Sequence, residues 1–113
     1  MALREPSKVS RARQRARRVE THDGLDRIQE VLCEPTRLRI IAALEGVELT
    51  VGDLAAAIGR KVPATSQHLR LLRELELVEG ERRGTAVAYR LRSGPAIEQL
   101  QAVLAALAPP LAS

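Results

Sequence analysis

Aromatic residues are almost absent from this 113-residue sequence: Tyr89 is the only one, and neither Phe nor Trp occurs. The core must therefore be built from Leu, Ile, Val and Ala, which favours thin layers of packed helices. Without aromatic platforms the chain is also poorly suited to binding nucleic acid by base stacking. The length allows one hydrophobic core, so we expect a single folded domain.

Cysteine is nearly absent as well. Cys33 is the only one, so no disulfide can form within the chain. No stretch resembles a secretory signal and no apolar run is long enough to cross a bilayer, so we expect a cytosolic protein. There is no nucleophile with a matching base, no phosphate-binding glycine loop and no pair of inward carboxylates, and we therefore do not expect an enzyme.

Positive charge is in excess and unevenly distributed. The net charge is +4 and the pI is near 10.2, which suggests a polyanionic partner. Residues 1–20 have a net charge of +5, residues 21–59 of −4 and residues 60–92 of +4. We predict a basic, flexible tail at 1–20, either inert or adding salt-dependent DNA contacts, and one folded domain at 21–113 whose second half faces phosphate.

Hydrophobic periodicity predicts two helices at the start of the folded domain. The first has about ten residues and begins near Asp23. The second begins at Glu34-Pro35, because proline suits the first turn of a helix, and ends at Gly46. The residues expected to face the core are Leu25, Ile28, Leu32, Leu38, Ile41 and Leu44.

Two further helices have the spacing of a helix-turn-helix, in which the second helix enters the major groove of DNA. The third helix begins at a capping pair, Thr50 and Asp53, and Gly59 is placed to end it. The fourth runs from about Val62 to Glu76. The residues expected to face the core are Val51, Leu54, Ala55, Ile58, Leu69, Leu72 and Leu75.

A β-hairpin and a last helix complete the chain. Residues 77–82 and 86–91 are strand-like, and Arg83-Gly84-Thr85 supplies the glycine that a tight hairpin needs. The last helix runs from about Gly94 to Ala108. Its apolar residues recur at intervals of three and four, a regular seam that predicts a partner helix. They are Ile97, Leu100, Leu104, Leu107 and Leu111.

Three segments between Leu32 and Leu91, LCEPTRLRIIAAL, ELTVGDLAAAIG and TSQHLRLLRELELVEGERRGTAVAYRL, resemble the arsenic-repressor (ArsR/SmtB) family of bacterial regulators. The resemblance implies a winged helix-turn-helix that is mainly α with a small β-hairpin wing: four helices, the hairpin and a final helix. It also implies a homodimer joined through its first and last helices. Such a dimer binds a near-palindromic DNA operator as a repressor and is released by a metal ion or another signal.

The positions that hold metal in this family carry no credible ligands here. The third-helix site aligns with Thr50 and Gly52, neither of which supplies a thiolate. Thr50 is better explained as a helix cap. The last-helix site aligns with Ser93, Pro95, Ala106 and Pro109.

One compact group of potential nickel or zinc ligands remains, formed by His22, Asp23 and Asp26. In a dimer, Glu30 or Glu98 could complete it. The carboxylates are equally explained as favourable charges at a helix N-terminus. The only cofactor that these residues suggest is a divalent metal ion, nickel or zinc.

Polar residues on the fourth helix and the wing are the DNA-binding candidates. Gln can bond to adenine and Arg to guanine, while cations at the wing suit phosphates or the minor groove. The alternative is a solvated, charged surface. The candidates are Lys61 with Arg60 before it, Thr65, Ser66, Gln67, Arg70, Arg82, Arg83 and Thr85.

Three other residues are open to interpretation. His68 can contact DNA, but its counterpart in the family usually packs or orients the helix. Glu76 stands where the family commonly has glycine, which costs about 1 kcal/mol if this residue must be left-handed. Cys33 is expected to be a small buried residue; its alternative role as a redox sensor requires exposure and a lowered pKa.

Several alternatives to a simple repressor remain. One is a metal-responsive regulator with a non-standard site or a sensing partner protein. Another is a thiol sensor acting through Cys33. A third is a protein-interaction module that binds DNA only non-specifically, which footprinting would distinguish from a repressor.

Overall fold

The computed structural model describes residues 6–20 and 24–107. It confirms a mainly helical fold with a hairpin after the helix-turn-helix. The elements are α1 Pro6–Glu20, α2 Leu25–Leu32, α3 Pro35–Ala43, β1 Leu49–Thr50, α4 Val51–Ile58, α5 Val62–Glu74, β2 Val78–Arg83, β3 Ala86–Leu91 and α6 Pro95–Leu107. Within those residues, no helix is both long and apolar enough to cross a membrane.

The basic N-terminal segment differs from expectation because it is helical. Arg, Ala and Gln are good helix formers, and Arg17 and Arg18 in the last turn interact favourably with the helix dipole. The segment lies outside the hydrophobic core, as predicted. That it moves relative to the folded domain stays a prediction.

A short third strand was not predicted from the sequence. The sheet order is β1-β3-β2, with Leu49 opposite Tyr89 and Thr50 opposite Ala88. A two-residue strand is too short to show alternating hydrophobicity, so only the structure reveals it. In the hairpin, a Cβ at Gly80 would lie 2.9 Å from Val87 Cγ1 and 3.1 Å from Tyr89 Cε1, so a larger residue there requires these side chains to shift.

The core is aliphatic, as the composition predicts. In α3 and at its C-cap, Ile40, Ile41 and Leu44 are fully buried, whereas Leu38 is only partly buried against the core. Leu32 was expected to face the core but is 46% exposed. The core residues are Val31, Ile40, Ile41, Leu44, Leu54, Ile58, Leu69, Leu72, Leu77, Val78, Ala96, Ile97 and Leu100.

The helix ends follow local signals. Thr50 Oγ1 accepts a hydrogen bond from Asp53 N at 3.2 Å, and Gly59 ends α4 with a φ of 68°, so both predicted caps are confirmed. Glu34 caps α3 by accepting from Thr36 N at 3.0 Å. Glu76, just after α5, is left-handed with a φ of 61°, the conformation that favours glycine.

Candidate nucleic-acid interface

The helix-turn-helix consists of α4, a three-residue turn and α5. Gly59 reverses the chain, and Arg60 N donates to Ala55 O at 3.0 Å to close the turn. Buried Leu54 on α4 and buried Leu69 and Leu72 on α5 belong to the same core cluster. The core therefore fixes which face of α5 is presented to solvent.

The exposed face of α5 carries most of the predicted base-contacting residues. Ser66, Gln67 and Arg70 are exposed and, within the described part of the chain, make no side-chain hydrogen bond. Their donors and acceptors are therefore available to base edges in the major groove. Arg73 is exposed on the same face, three residues after Arg70, a spacing that could have revealed it in the sequence.

Thr65 corrects the predicted set. It was expected beside Ser66 and Gln67, but it is completely buried and its hydroxyl donates to Lys61 O at 2.9 Å. It lies four and seven residues before Leu69 and Leu72, on the helix face that packs into the core. Thr65 therefore stabilises the start of α5 and is not part of the exposed polar face of that helix.

The turn before α5 presents two basic side chains. Arg60 and Lys61 are both exposed, and Arg60 Nη1 donates to Gly59 O at 3.2 Å. The side chain of Lys61 is free to point outwards because only its carbonyl is used, as the acceptor for Thr65. Both cations lie directly before the N-terminus of α5.

At the wing tip, two adjacent arginines have different surroundings. Arg82 is exposed and, among the residues that the structure describes, makes no hydrogen bond or ion pair. Arg83 Nη2 instead lies 3.0 Å from Glu48 Oε2 and 3.4 Å from Glu81 Oε2. Gly84, with a φ of 65°, and exposed Thr85 form the turn. The guanidinium of Arg82 is thus unengaged by any described residue, whereas that of Arg83 is held by two carboxylates.

A charge network covers one face of the sheet around Arg90. Its guanidinium lies 2.7 Å from Glu79, 2.7 Å from Glu81 and 3.1 Å from Glu48. The hydrogen bond from Arg90 and the nearby charge of Arg83 hold the pKa of Glu81 below its usual value. The carboxylates raise the pKa of Arg90, so it stays charged. Because these side chains are partly exposed, each pair contributes little by itself, but together they tie β1 to the wing.

His68 lies on α5 close to the start of α3. It is half-buried. The pKa of Glu34 is held below its usual value chiefly by the hydrogen bond from Thr36 N, and further by the charge of His68. This position is compatible with a role in orienting α5, which stays a prediction.

Cys33 corrects a second expectation, because it is exposed and not buried. It is the C-cap of α2, directly after exposed Leu32. Its Sγ donates to Glu30 O at 3.3 Å, and Arg37 Nη1 lies 3.8 Å from the sulfur. The exposure that a thiol sensor requires is therefore present.

Only one of the three predicted metal ligands lies within the described residues. His22 and Asp23 lie outside the described residues, and Asp26 is exposed on the first turn of α2. Across residues 6–20 and 24–107, no three His, Cys, Asp or Glu side chains come together in a way that could hold a metal ion. Thr50, aligned with the family's third-helix metal site, is occupied as a cap.

Comparisons with known proteins agree with this geometry. Residues 34–80 match the family model described as bacterial regulatory protein, arsR family. The chain is 45% identical over 62 residues to the HTH-type transcriptional regulator NmtR of Mycobacterium tuberculosis, covering 55% of this chain and 52% of that relative. It is 32% identical over 81 residues to a biofilm growth-associated repressor of Agrobacterium fabrum, covering 72% and 69% respectively.

A solved structure shares the fold. The homodimeric winged helix-turn-helix DNA-binding domain of Mb0332 from Mycobacterium bovis superposes with a TM-score of 0.67 at 28% identity, covering 80% of this chain and 83% of that one. The chain spans about half the length of NmtR. The matched segment contains α3, α4, α5 and the start of the wing. The chain belongs to the ArsR/SmtB family of winged helix-turn-helix transcriptional regulators.

Proposed function

We propose that this protein is a cytoplasmic, homodimeric transcriptional repressor that binds a near-palindromic DNA operator. The observation that carries the proposal is the division of α5 into two faces. Leu69 and Leu72 are locked in the core, while Ser66, Gln67 and Arg70 are exposed. A helix held in this way presents the same polar side chains to the major groove each time it docks.

Base contacts and phosphate contacts come from different elements. Gln67 and Arg70 can form bidentate bonds to adenine and guanine, and the Ser66 hydroxyl can donate to or accept from a base edge. Lys61 before α5 and Arg82 on the wing contact phosphates. Arg83 and Thr85 are further candidates at the wing tip. Affinity then comes largely from the cations and specificity from α5.

Exposed apolar side chains support the homodimer. They lie on α2 and α6, which correspond to the first and last helices through which the family associates. Leu32, the last residue of α2, is 46% exposed and Leu107, the last residue of α6, is 67% exposed. A hollow between α3 and α6 is lined by Ala42, Leu104 and Ala105 among others. A second copy would bury this surface and place two recognition helices about one DNA turn apart.

Footprinting on the protein's own promoter tests the proposal. A protected palindrome with half-sites about one helical turn apart supports an operator-specific dimer. Uniform, salt-sensitive coating would instead support a protein-interaction module with non-specific DNA binding. Repeating the experiment with Gln67→Ala separates the two further, because loss of protection with retained coating assigns specificity to α5.

Thiol modification is one candidate for the signal that releases the protein from DNA, and the exposure of Cys33 favours it. The thiolate would attack one oxygen of hydrogen peroxide, the O–O bond would break and the other oxygen would leave as hydroxide. The product is a sulfenic acid beside Arg37. Operator affinity should then fall with peroxide and be insensitive to it in Cys33→Ser. Parallel titrations with zinc, nickel and cobalt, using His22→Ala, test a metal signal. If no ligand changes affinity, a sensing partner protein is the remaining alternative.

A further inference from the structure

Helix α1 projects its side chains into solvent. From Ser7 to Val19 every side chain is exposed except that of Val9, which is half-buried, and Val19 is 59% exposed. None of the residues from Ser7 to Val19 belongs to the core cluster or packs against it. The helix therefore adds nothing to the hydrophobic core, and most of its surface is exposed to solvent.

The charges of α1 form a defined surface. The helix contains six basic residues, and its only acidic residue is Glu20 at the end. Residues at intervals of three and four share one face of a helix, and four of the cations follow that spacing. We call them the basic stripe: Lys8, Arg11, Arg15 and Arg18. Arg13 and Arg17, four residues apart, lie on a different face.

Other occupants of this surface fit less well than DNA. The apolar residues of α1 are small, Val9, Ala12, Ala16 and Val19, whereas helices that lie on membranes insert Trp, Phe or Leu. Pairing two copies along that narrow strip would bring the flanking cations of both helices together, and like charges repel. A polyanion neutralises the same cations.

We propose that the basic stripe of α1 is a second DNA-binding surface, which contacts phosphates beside the operator without regard to base sequence. From Lys8 to Arg18 the stripe spans ten residue steps, or about 15 Å of helix at 1.5 Å per step. A DNA strand presents a phosphate about every 3.4 Å along its axis, so four cations face about four phosphates. The proposal rests on the proposed function, because α5 and the wing deliver α1 to DNA.

The test compares two double variants of the full-length protein that remove the same charge. Arg11→Gln/Arg15→Gln removes two of the four cations of the basic stripe, and Arg13→Gln/Arg17→Gln removes both cations of the other face. Glutamine is about as good a helix former as arginine, and circular dichroism checks that helicity is kept. Affinity is measured as a function of salt concentration for three duplexes. They are a short operator, a long operator with about one extra helical turn on each side, and a random sequence of the same length as the long operator.

On the long operator and the random duplex, the stripe variant should reduce the slope of log affinity against log salt concentration by about two for each protomer. Each lost phosphate contact reduces that slope by about 0.9. The other-face variant should change it less, and neither should alter the ratio of operator to random affinity. On the short operator the two variants should behave alike, because the flanking phosphates are missing.

Three results would overturn the proposal. Equal flattening by both variants would mean that α1 acts as an undirected polycation, and no flattening would mean that it does not contact DNA. Loss of binding to phosphatidylserine vesicles by the stripe variant, with DNA binding unchanged, would assign the surface to a membrane. Failure of the proposed function shows separately, as a wild-type protein that does not distinguish operator from random DNA.

Discussion

The guanidinium of Arg83 on the wing lies 3.0 Å from the carboxylate of Glu48, 35 residues earlier in the sequence. The same carboxylate lies 3.1 Å from Arg90. Glu48 precedes β1, so this contact joins the connection after α3 to the tip of the DNA-binding hairpin. An arginine held by a carboxylate can bind phosphate only by exchanging one anion for another.

Removing the carboxylate should therefore strengthen DNA binding. Glu48→Gln frees Arg83 from its shorter ion pair, and exposed pairs of this kind are worth about 0.2–1 kcal/mol, which corresponds to an increase in affinity of up to about fivefold. The gain should be the same on operator and random duplexes, with a steeper salt dependence. Glu45→Gln removes an equal charge away from the wing and serves as the control. Equal gains in both variants would show that only net charge matters.

Thr65 and Ser66 are neighbours with opposite surroundings and should separate stability from specificity. Thr65→Val keeps the shape but loses the hydrogen bond to Lys61 O, which should lower the free energy of unfolding by about 0.5–1.5 kcal/mol. It should leave the ratio of operator to random affinity unchanged. Ser66→Ala should lower the ratio of operator to random affinity and leave the free energy of unfolding unchanged. Urea unfolding and DNA titration of both variants measure this, and a specificity change in Thr65→Val would contradict the buried assignment.

The left-handed residue after α5 offers a gain in stability. Glu76→Gly relieves a backbone strained at a φ of 61° and should stabilise the protein by about 1 kcal/mol. Glu74→Gly, at the last residue of α5, where the backbone is still right-handed, should instead destabilise it, by up to about 1 kcal/mol. The two variants make the same chemical change, so thermal unfolding that shifts in the same direction for both would refute the conformational explanation.

Acid should weaken the start of α3. The folded-state pKa of Glu34 is below its usual value, so its contribution to stability is present above about pH 4.5 and is lost as the pH falls through the folded pKa. The free energy of unfolding of Glu34→Gln should therefore depend less on pH below this point than that of the wild type. Glu45→Gln is the control, and an identical acid limb in wild type and Glu34→Gln would contradict the capping role.

The features that local signals specify could be predicted from the sequence. Thr50 and Gly59 bound a helix through residues only a few positions away, and a proline at the first turn does the same for α3. The turn glycine Gly84 places the wing. Because these devices act within one turn of chain, the element order and the helix-turn-helix follow without knowledge of the tertiary structure.

The remaining features depend on packing between distant segments. The pairing of Glu48 with Arg83 requires β1 to lie beside β3, and a two-residue strand leaves no pattern. The exposure of Cys33 depends on how α2 meets α3. Thr65 is different, since its spacing to Leu69 and Leu72 already places it on the buried face. Its polarity made it resemble a DNA contact, but a hydroxyl can be satisfied by the helix backbone.

The most direct test of the account is the ratio of operator to random-DNA affinity for the wild type and Gln67→Ala, measured at one salt concentration. If α5 contacts base edges, Gln67→Ala should weaken operator binding by about 1–3 kcal/mol, or roughly 5- to 150-fold, and leave random-DNA binding unchanged. The ratio would fall by the same factor. Equal losses on both duplexes, or an unchanged ratio, would contradict the claim that the exposed face of α5 determines sequence specificity.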